Sequence, residues 1–424
     1  MKRMIFTIFL LVLGFYLPDR AEAARTLQAI IDAASKETAI ELKEGEYNET
    51  VTISKPITLV GKGNVLLRSC TDKPIIAIRG EGVILKNIKV EHCGDKKEDH
   101  AVYVTGSNHI LAGMDIVTRR AGIKLDNATN VAIKDSVIAG KKQGNGIDLW
   151  KSIKNNLSNI KISNVTDGIY LEQSDENTLF RNSIQNSRYG MHLMFSNDNL
   201  LNENVSKANS TGAMLMESNR TVVSNNKLSF NSNSVHAQGL LLYMVSDTKV
   251  TGNTIISNRV GIYIEEAERN QIENNTMMDN FIGIQFEHAN GNTAKRNTFI
   301  GNVNNAQAIE SASNQINGNY WDAASKVDAT GNGVSKIPFT ADPYLLTMTT
   351  NVPEYQLFFQ SPGLILLQKM LKSPADQLLI DSAPLMDMTN EIKTNISASY
   401  RLWIMSTVMI IVSFSLFIYG RKRS

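Results

Sequence analysis

The sequence is poor in cysteine and in net charge. Its 424 residues include 2 cysteines, and 43 Lys and Arg nearly balance 41 Asp and Glu, for a formal net charge of +2. Because the basic residues are spread along the chain, electrostatics indicate neither a nucleic acid nor a strongly acidic polymer as partner. Apolar residues in the central region lack helical spacing, which excludes the helix as its main element.

The two cysteines, Cys70 and Cys93, lie 23 residues apart, close to one unit of the repeat described next. That spacing places one above the other, at a separation compatible with a disulfide. A copper site formed by Cys93 with His92 is the alternative, although an oxidising compartment tends to remove free thiols. The sequence leaves both interpretations open.

What the sequence does contain is a repeat of about 22 residues. Eight glycines open similar segments, at intervals of 24, 22, 22, 22, 27, 22 and 22 residues: Gly122, Gly146, Gly168, Gly190, Gly212, Gly239, Gly261 and Gly283. Fourteen residues after six of them stands an asparagine: Asn182, Asn204, Asn226, Asn253, Asn275 and Asn297. A fixed period with a glycine and an asparagine at fixed positions is typical of a solenoid.

After each glycine, apolar and variable residues alternate, which predicts a strand with one buried face. Such a short unit cannot bury that face alone and must stack on its neighbours, with the asparagines forming a ladder of amide hydrogen bonds. We therefore predict an all-β fold, a right-handed parallel β-helix of roughly a dozen coils over residues 24–343. Apolar spacing from Thr26 to Ser35 predicts an N-terminal capping helix, and residues 319–333 resemble a terminating turn.

The two ends of the chain carry targeting signals. Residues 1–23 read as a secretory signal peptide, with basic Lys2 and Arg3 before an apolar run and cleavage after Ala23. Residues 401–420 predict one transmembrane helix, a buried C-terminal helix being the alternative, and residues 421–424 a cytoplasmic tail. The solenoid is then extracytoplasmic, and residues 344–400 link it to the membrane.

The variable strand positions predict a stripe that points away from the core. In two consecutive repeats they read His192, Met194, Met214 and Met216, here called the Met/His patch. Stacking in register sets His192 above Met214 and Met194 above Met216. Thioether sulfur with imidazole suits Cu(I) and does not suit magnesium or calcium, so these four residues are the candidate metal ligands. His236, in the longest repeat, and Met244 are marginal further candidates.

Two other interpretations of the stripe stay open. An apolar outer patch can receive a partner protein without any metal, since methionine is an adaptable contact residue. A β-helix can also be a polysaccharide enzyme, a uronate lyase or C5-epimerase, which needs a base, an acid and cations in one groove. The stripe's glutamates, Glu172, Glu265 and Glu287, have no Arg or Lys beside them. Asp148 against Lys124 is explained as a cross-strand ion pair.

The segment 188–198, with Gly239-Leu-Leu-Leu242, Asn319-Tyr-Trp-Asp322 and Pro384-Leu-Met386, closely resembles the NosD family over about residues 27–386. The resemblance implies a non-catalytic, extracytoplasmic accessory protein that matures the copper centre of nitrous-oxide reductase. It implies as partners an ABC permease (NosY type), its ATPase (NosF type), a copper chaperone (NosL type) and the reductase, with permease attachment through residues 361–386. This chain departs from many members by continuing into a membrane anchor.

Overall fold

The structure is a computed structural model that describes residues 26–344 except 97, 98, 233, 235 and 236, then 378–388 and the single positions 363, 370, 373, 407 and 409. The signal peptide predicted at 1–23, His236, most of the linker 344–400 and nearly all of the transmembrane helix predicted at 401–420 lie outside the described residues. Within the described part, no helix is long and apolar enough to cross a membrane.

The chain winds into a parallel β-helix of the right-handed type with about 13 coils, which confirms the predicted fold class. Most coils contribute one short strand to each of three parallel sheets. In these strands apolar side chains alternate toward the interior, and turn residues separate one strand from the next. Each strand pairs with the third strand that follows it in the chain, so residues about 22 positions apart lie side by side.

The strand bounds follow the sheets. Sheet A contains Ala39–Leu42, Thr58–Gly61, Ile84–Lys86, Ile110–Ala112, Ala132–Lys134, Asn156–Ser158, Thr178–Phe180, Leu200–Asn202, Val222–Ser224, Lys249–Thr251, Gln271–Glu273, Thr293–Lys295 and Gln315–Ile316. Sheet B contains Gly45–Tyr47, Val65–Ser69, Lys89–His92, Asp115–Thr118, Val137–Ala139, Lys161–Ser163, Ser183–Gln185, Val205–Lys207, Lys227–Ser229, Thr254–Ile256, Thr276–Met278, Thr298–Ile300 and Tyr320–Trp321. Sheet C contains Val51–Ile53, Ile76–Ile78, His100–Ser107, Ala121–Thr129, Ile147–Trp150, Asp167–Glu172, Tyr189–Met194, Thr211–Met216, Gln238–Tyr243, Val260–Glu265, Ile282–Glu287 and Asn304–Ile309.

The interior is a continuous stack of aliphatic side chains, such as Leu171, Leu193 and Leu215, all fully buried. Burial of each such side chain contributes about 1.5–3 kcal/mol relative to exposure. The repeated glycines stand where coils approach most closely. A Cβ added at Gly190 would collide with the carbonyl oxygen of Gly212 in the next coil and with the Ser206 hydroxyl. Glycine at this position therefore keeps strands Tyr189–Met194 and Thr211–Met216 in register.

The predicted asparagine ladder is present. From Asn182 to Asn297, each Asn donates its backbone N–H to the side-chain oxygen of the next Asn at 2.8–3.0 Å, and the last acceptor is Asn319. Sequence reasoning missed two further ladders: Asn209, Asn231, Asn258, Asn280 and Asn302 form one, and a mixed series of Asn and Thr forms the other. They satisfy buried backbone donors at the corners of the coil.

Both ends of the solenoid are covered. Helix Leu27–Ala33, begun by a Thr26 side-chain cap, buries Leu27 and Ile31 on the first coil and confirms the predicted capping helix. At the other end, strand Leu379–Asp381 pairs antiparallel with Phe339–Ala341. The buried Asp381 carboxylate accepts hydrogen bonds from the Asn319 backbone and the Trp321 indole, at 2.8 Å each, and so ends the first ladder.

Candidate metal centre

The register of sheet C brings the Met/His patch together as the sequence predicts. His192 pairs with Met214 and Met194 with Met216 on adjacent strands. The strand before them presents Tyr170 and Glu172 at the same positions, and the strand after presents Leu241 and Tyr243. Three thioethers and one imidazole therefore share two neighbouring strands. Their role as ligands stays a prediction.

The patch is less exposed than an outward stripe implies. His192 is 5% exposed and Met214 is 8% exposed, whereas Met194 and Met216 are half-buried. Two aromatic rings cover the imidazole, with centroids 4.9 Å away: Tyr170 on the preceding strand and Tyr189 on the same strand. The two methionines at the ends of the strands form the accessible edge of the patch, and His192 with Met214 forms its covered side.

His192 has one nitrogen engaged and one without a partner. Its Nδ1 lies 2.9 Å from Oδ2 of Asp167, and Arg188 donates two hydrogen bonds, of 2.9 and 2.7 Å, to the same carboxylate. Burial of Asp167 opposes its ionisation, but the hydrogen bonds from His192 and Arg188 outweigh burial and lower the pKa of this carboxyl. The buried Nε2 has no hydrogen-bond partner among the residues that the structure describes.

Sequence reasoning missed Asp167 and Arg188. Asp167 lies just before Gly168, at a position that other repeats fill with unrelated residues such as Ala121 or Thr211. One signal was available: the register pairs Asp167 with Tyr189, which places a carboxylate beside the histidine strand.

The thioether sulfur of Met194 has a polar neighbour, the hydroxyl of Tyr170. The Tyr170 hydroxyl lies 2.6 Å from Oε2 of Glu172 and 3.4 Å from Sδ of Met194. Burial and the bond to Glu172 raise the pKa of Tyr170, so this hydroxyl stays protonated and donates. Glu172 therefore belongs to the rim of the patch through Tyr170.

The rim of the patch is apolar and acidic. Phe195 and Met244, each 40% exposed, stand at turn positions with φ of 50° and 51°. Non-glycine residues rarely adopt this left-handed conformation. Burial raises the pKa of Tyr243, as do the nearby negative charges of Glu266, Glu265 and Glu217. Met244 thus lies at the edge of the patch.

Upstream on the same face lies a cavity of about 620 Å³, lined in part by His100, Tyr103, Lys124 and Asp148. The Lys124 and Asp148 side chains form the predicted cross-strand ion pair, at 3.2 Å, and the Tyr103 hydroxyl donates to Asp126 at 2.6 Å. Burial, and then Lys124, lower the pKa of His100 to about 4. The charged groups here satisfy one another.

The cysteines form a disulfide, Cys70 to Cys93, with their Cα atoms 4.4 Å apart. The alternative copper site of Cys93 with His92 is therefore wrong, because the sulfur is bonded to its partner and supplies no thiolate. Within the described residues, no group of three or more His, Cys, Asp or Glu side chains is arranged to hold a metal.

Comparisons with known proteins agree with the fold and name a family. The family model of NosD, described as periplasmic copper-binding protein, matches residues 49–187 and 136–337. A search of curated protein sequences gives no match.

Solved structures similar to the chain include three carbohydrate-active proteins. The family 28 exopolygalacturonase of Yersinia enterocolitica has 11% identity over 69% of this chain and 75% of its own, with a TM-score of 0.50. A mannuronan C-5 epimerase A-module of Azotobacter vinelandii has 16% identity over 69% and 91%, with a TM-score of 0.47. The periplasmic alginate epimerase AlgG has 14% identity over 69% and 82%, with a TM-score of 0.48. At these identities the likeness concerns the fold.

Proposed function

The chain belongs to the NosD family of periplasmic copper-binding proteins, and from this premise we propose that it is an accessory protein that receives Cu(I) on the Met/His patch and passes it to nitrous-oxide reductase during assembly of the metal centre. The protein is not the catalyst of a reaction in this proposal. Copper is its cargo.

One observation carries the proposal. Among the described residues several buried side-chain nitrogens lack a hydrogen-bond partner, and one of them, Nε2 of His192, belongs to a residue paired in register with a methionine, Met214. A buried polar atom without a hydrogen bond costs about 1–3 kcal/mol, so its persistence needs a reason. A Cu(I) ion bound to Nε2 and to thioether sulfur supplies one. Imidazole with thioether ligands fits Cu(I), and thioethers do not form disulfides in an oxidising compartment.

The mixed exposure of the patch supports transfer by ligand exchange. Met194 and Met216 at the accessible edge contact a donor protein first, and the covered His192 and Met214 receive the ion afterwards. No residue of the chain needs to move a proton onto a substrate. We further propose that a NosL-type chaperone is the donor, and that motion of a NosY-type permease driven by a NosF-type ATPase releases the ion to the reductase. The membrane helix proposed at 401–420 raises the local concentration beside the permease.

The test is anaerobic competition for Cu(I) between the full-length protein and a chromogenic chelator. We expect Met194→Ala/Met216→Ala to weaken binding strongly. The matched control Met278→Ala/Met388→Ala removes two thioethers outside the outer face of sheet C and should bind as the wild type does. Equal affinity of both double variants would refute the ligand assignment. Loss of chaperone binding with unchanged copper affinity would favour a metal-free interface.

The polysaccharide enzyme remains the second candidate, because the cavity near Lys124 places a cation, an imidazole and a tyrosine on one face. Lys124 is paired with Asp148 and Tyr103 with Asp126, and the lowered pKa of His100 makes it a weak general base at neutral pH. Incubation with polymannuronate and polygalacturonate, followed by detection of unsaturated ends or epimerised residues, distinguishes the two candidates. We expect neither product.

A further inference from the structure

The imidazole of His192 is anchored by a buried carboxylate. Asp167 is 1% exposed, and its Oδ2 lies 2.9 Å from Nδ1 of His192. Arg188 donates from Nε to Oδ1 and from Nη2 to Oδ2 of Asp167, and its guanidinium stacks on Tyr189 at 4.5 Å. Carboxylate, guanidinium and two aromatic rings thus fix the ring plane of His192.

This arrangement determines which nitrogen of His192 carries the hydrogen. The Asp167 carboxylate already accepts two hydrogen bonds from Arg188, and an ionised carboxylate has no hydrogen to donate. The contact between Oδ2 and Nδ1 is therefore a bond that Nδ1–H donates. In the neutral imidazole this leaves a lone pair on Nε2, the nitrogen without a partner.

The other titratable groups around the imidazole offer Nδ1 no second acceptor. The Tyr170 hydroxyl is committed to Glu172 and to the sulfur of Met194. Tyr189 presents its ring to His192 edge-on. Asp148 and Glu172 belong to neighbouring positions of the stripe and pair with Lys124 and Tyr170 respectively. Asp167 alone fixes the tautomer.

Building on the proposed function, we propose that Asp167 is a positioning residue, which holds His192 in the tautomer whose Nε2 donates to Cu(I), with Arg188 holding the carboxylate in place. Metal-bound histidines usually donate their other N–H to such a group, and loss of that group typically weakens metal binding about 10–100-fold.

A first experiment needs no copper. Histidine is labelled with ¹⁵N in the full-length protein, and the signals of His192 are identified by their loss in His192→Gln. We expect the neutral imidazole to carry its hydrogen on Nδ1, with Nε2 unprotonated. A hydrogen on Nε2 of the neutral ring would overturn the proposal.

A second experiment compares Asp167→Asn with Asp198→Asn. Asp198 accepts two bonds from Arg220, of 2.8 and 2.7 Å, as Asp167 does from Arg188, but it forms no bond to histidine. An amide at position 167 turns its NH₂ group either toward Arg188, which loses a bond, or toward Nδ1, which moves the hydrogen to Nε2. We expect Cu(I) affinity to fall about tenfold or more in Asp167→Asn and to be unchanged in Asp198→Asn.

The outcomes separate the two claims. If the wild type binds Cu(I) through His192 and Met194, and Asp167→Asn binds equally well with the same ¹⁵N pattern, the positioning role is refuted and the proposed function stands. If the wild type does not bind Cu(I), the proposed function fails, whereas the tautomer measured on the copper-free protein still decides the role of Asp167.

Discussion

Two regions of the outer face of sheet C differ in whether their polar side chains are paired by hydrogen bonds. In the flanking coils, polar side chains of the stripe form pairs across the strands: Lys124 with Asp148, and Tyr263 with Glu287 at 2.7 Å. In the Met/His patch, Nε2 of His192 has no partner, although the scaffold beneath is the same. The cross-strand pairs stabilise the flanking coils, and we propose that the unpaired nitrogen of the patch is available to a ligand.

The largest expected effect comes from replacing two residues of the patch with those at the same positions in the preceding coil. His192→Tyr/Met194→Glu copies the Tyr170 and Glu172 pair of the preceding coil. We expect the fold to persist and Cu(I) affinity to fall about a thousandfold, equivalent to about 4 kcal/mol. Chelator competition and thermal unfolding followed by circular dichroism measure both quantities. Tight binding in this variant would remove the distinction between the two regions.

The next effect tests whether both regions rest on one scaffold. Asn226 lies in the coil that contributes Met214 and Met216, and Asn275 lies in a flanking coil. Each asparagine accepts and donates the same set of ladder hydrogen bonds. Alanine at either position leaves buried donors unpaired, and we expect each change to lower the free energy of unfolding by about 3 kcal/mol. Urea denaturation measures this cost. Asn156→Ala, at an exposed position of sheet A, serves as the control. A much smaller loss at Asn226 would show that the coils differ in more than their outer chemistry.

A smaller effect concerns acid stability in the upstream coils. The pKa of His100 falls from 6.5 to about 4, because of burial and then Lys124. The unfolded chain therefore takes up this proton at a higher pH than the folded protein does, so the free energy of unfolding decreases as the pH falls from 6.5 to 4. His100→Gln should reduce that decrease by about 1 kcal/mol. Denaturant midpoints at several pH values test this, and an unchanged pH slope would contradict it.

The smallest effect is expected at the border between the two regions. Tyr170→Phe removes the hydroxyl that joins Glu172 to the sulfur of Met194. Hydrogen bonds to thioether sulfur are weak, so we expect Cu(I) affinity to change about threefold or less. Tyr263→Phe, which breaks the equivalent bond in the flanking coils, is the matched control and should leave affinity unchanged. A large loss in Tyr170→Phe would extend the patch to the tyrosine.

The period of the sequence was enough to place His192 above Met214, because a repeat of fixed length with a glycine and an asparagine at fixed positions determines the register. It was not enough to predict the burial of His192, since that depends on how Tyr170 and Tyr189 orient across two strands. Asp167 occupies a position with no repeating identity, so its only signal in the sequence is the register that places it beside Tyr189. Asp381 caps Trp321 from 60 residues away, and no local spacing predicts such a return.

The central claim is that Cu(I) binds to thioether sulfur and imidazole on sheet C. Copper K-edge X-ray absorption of the Cu(I)-loaded full-length protein tests it most directly, with His192→Tyr/Met194→Glu measured alongside. We predict sulfur and one nitrogen as the neighbours of copper in the wild type, and loss of these sulfur and nitrogen neighbours in the variant. Copper surrounded by nitrogen and oxygen alone, or identical spectra for both proteins, would contradict it.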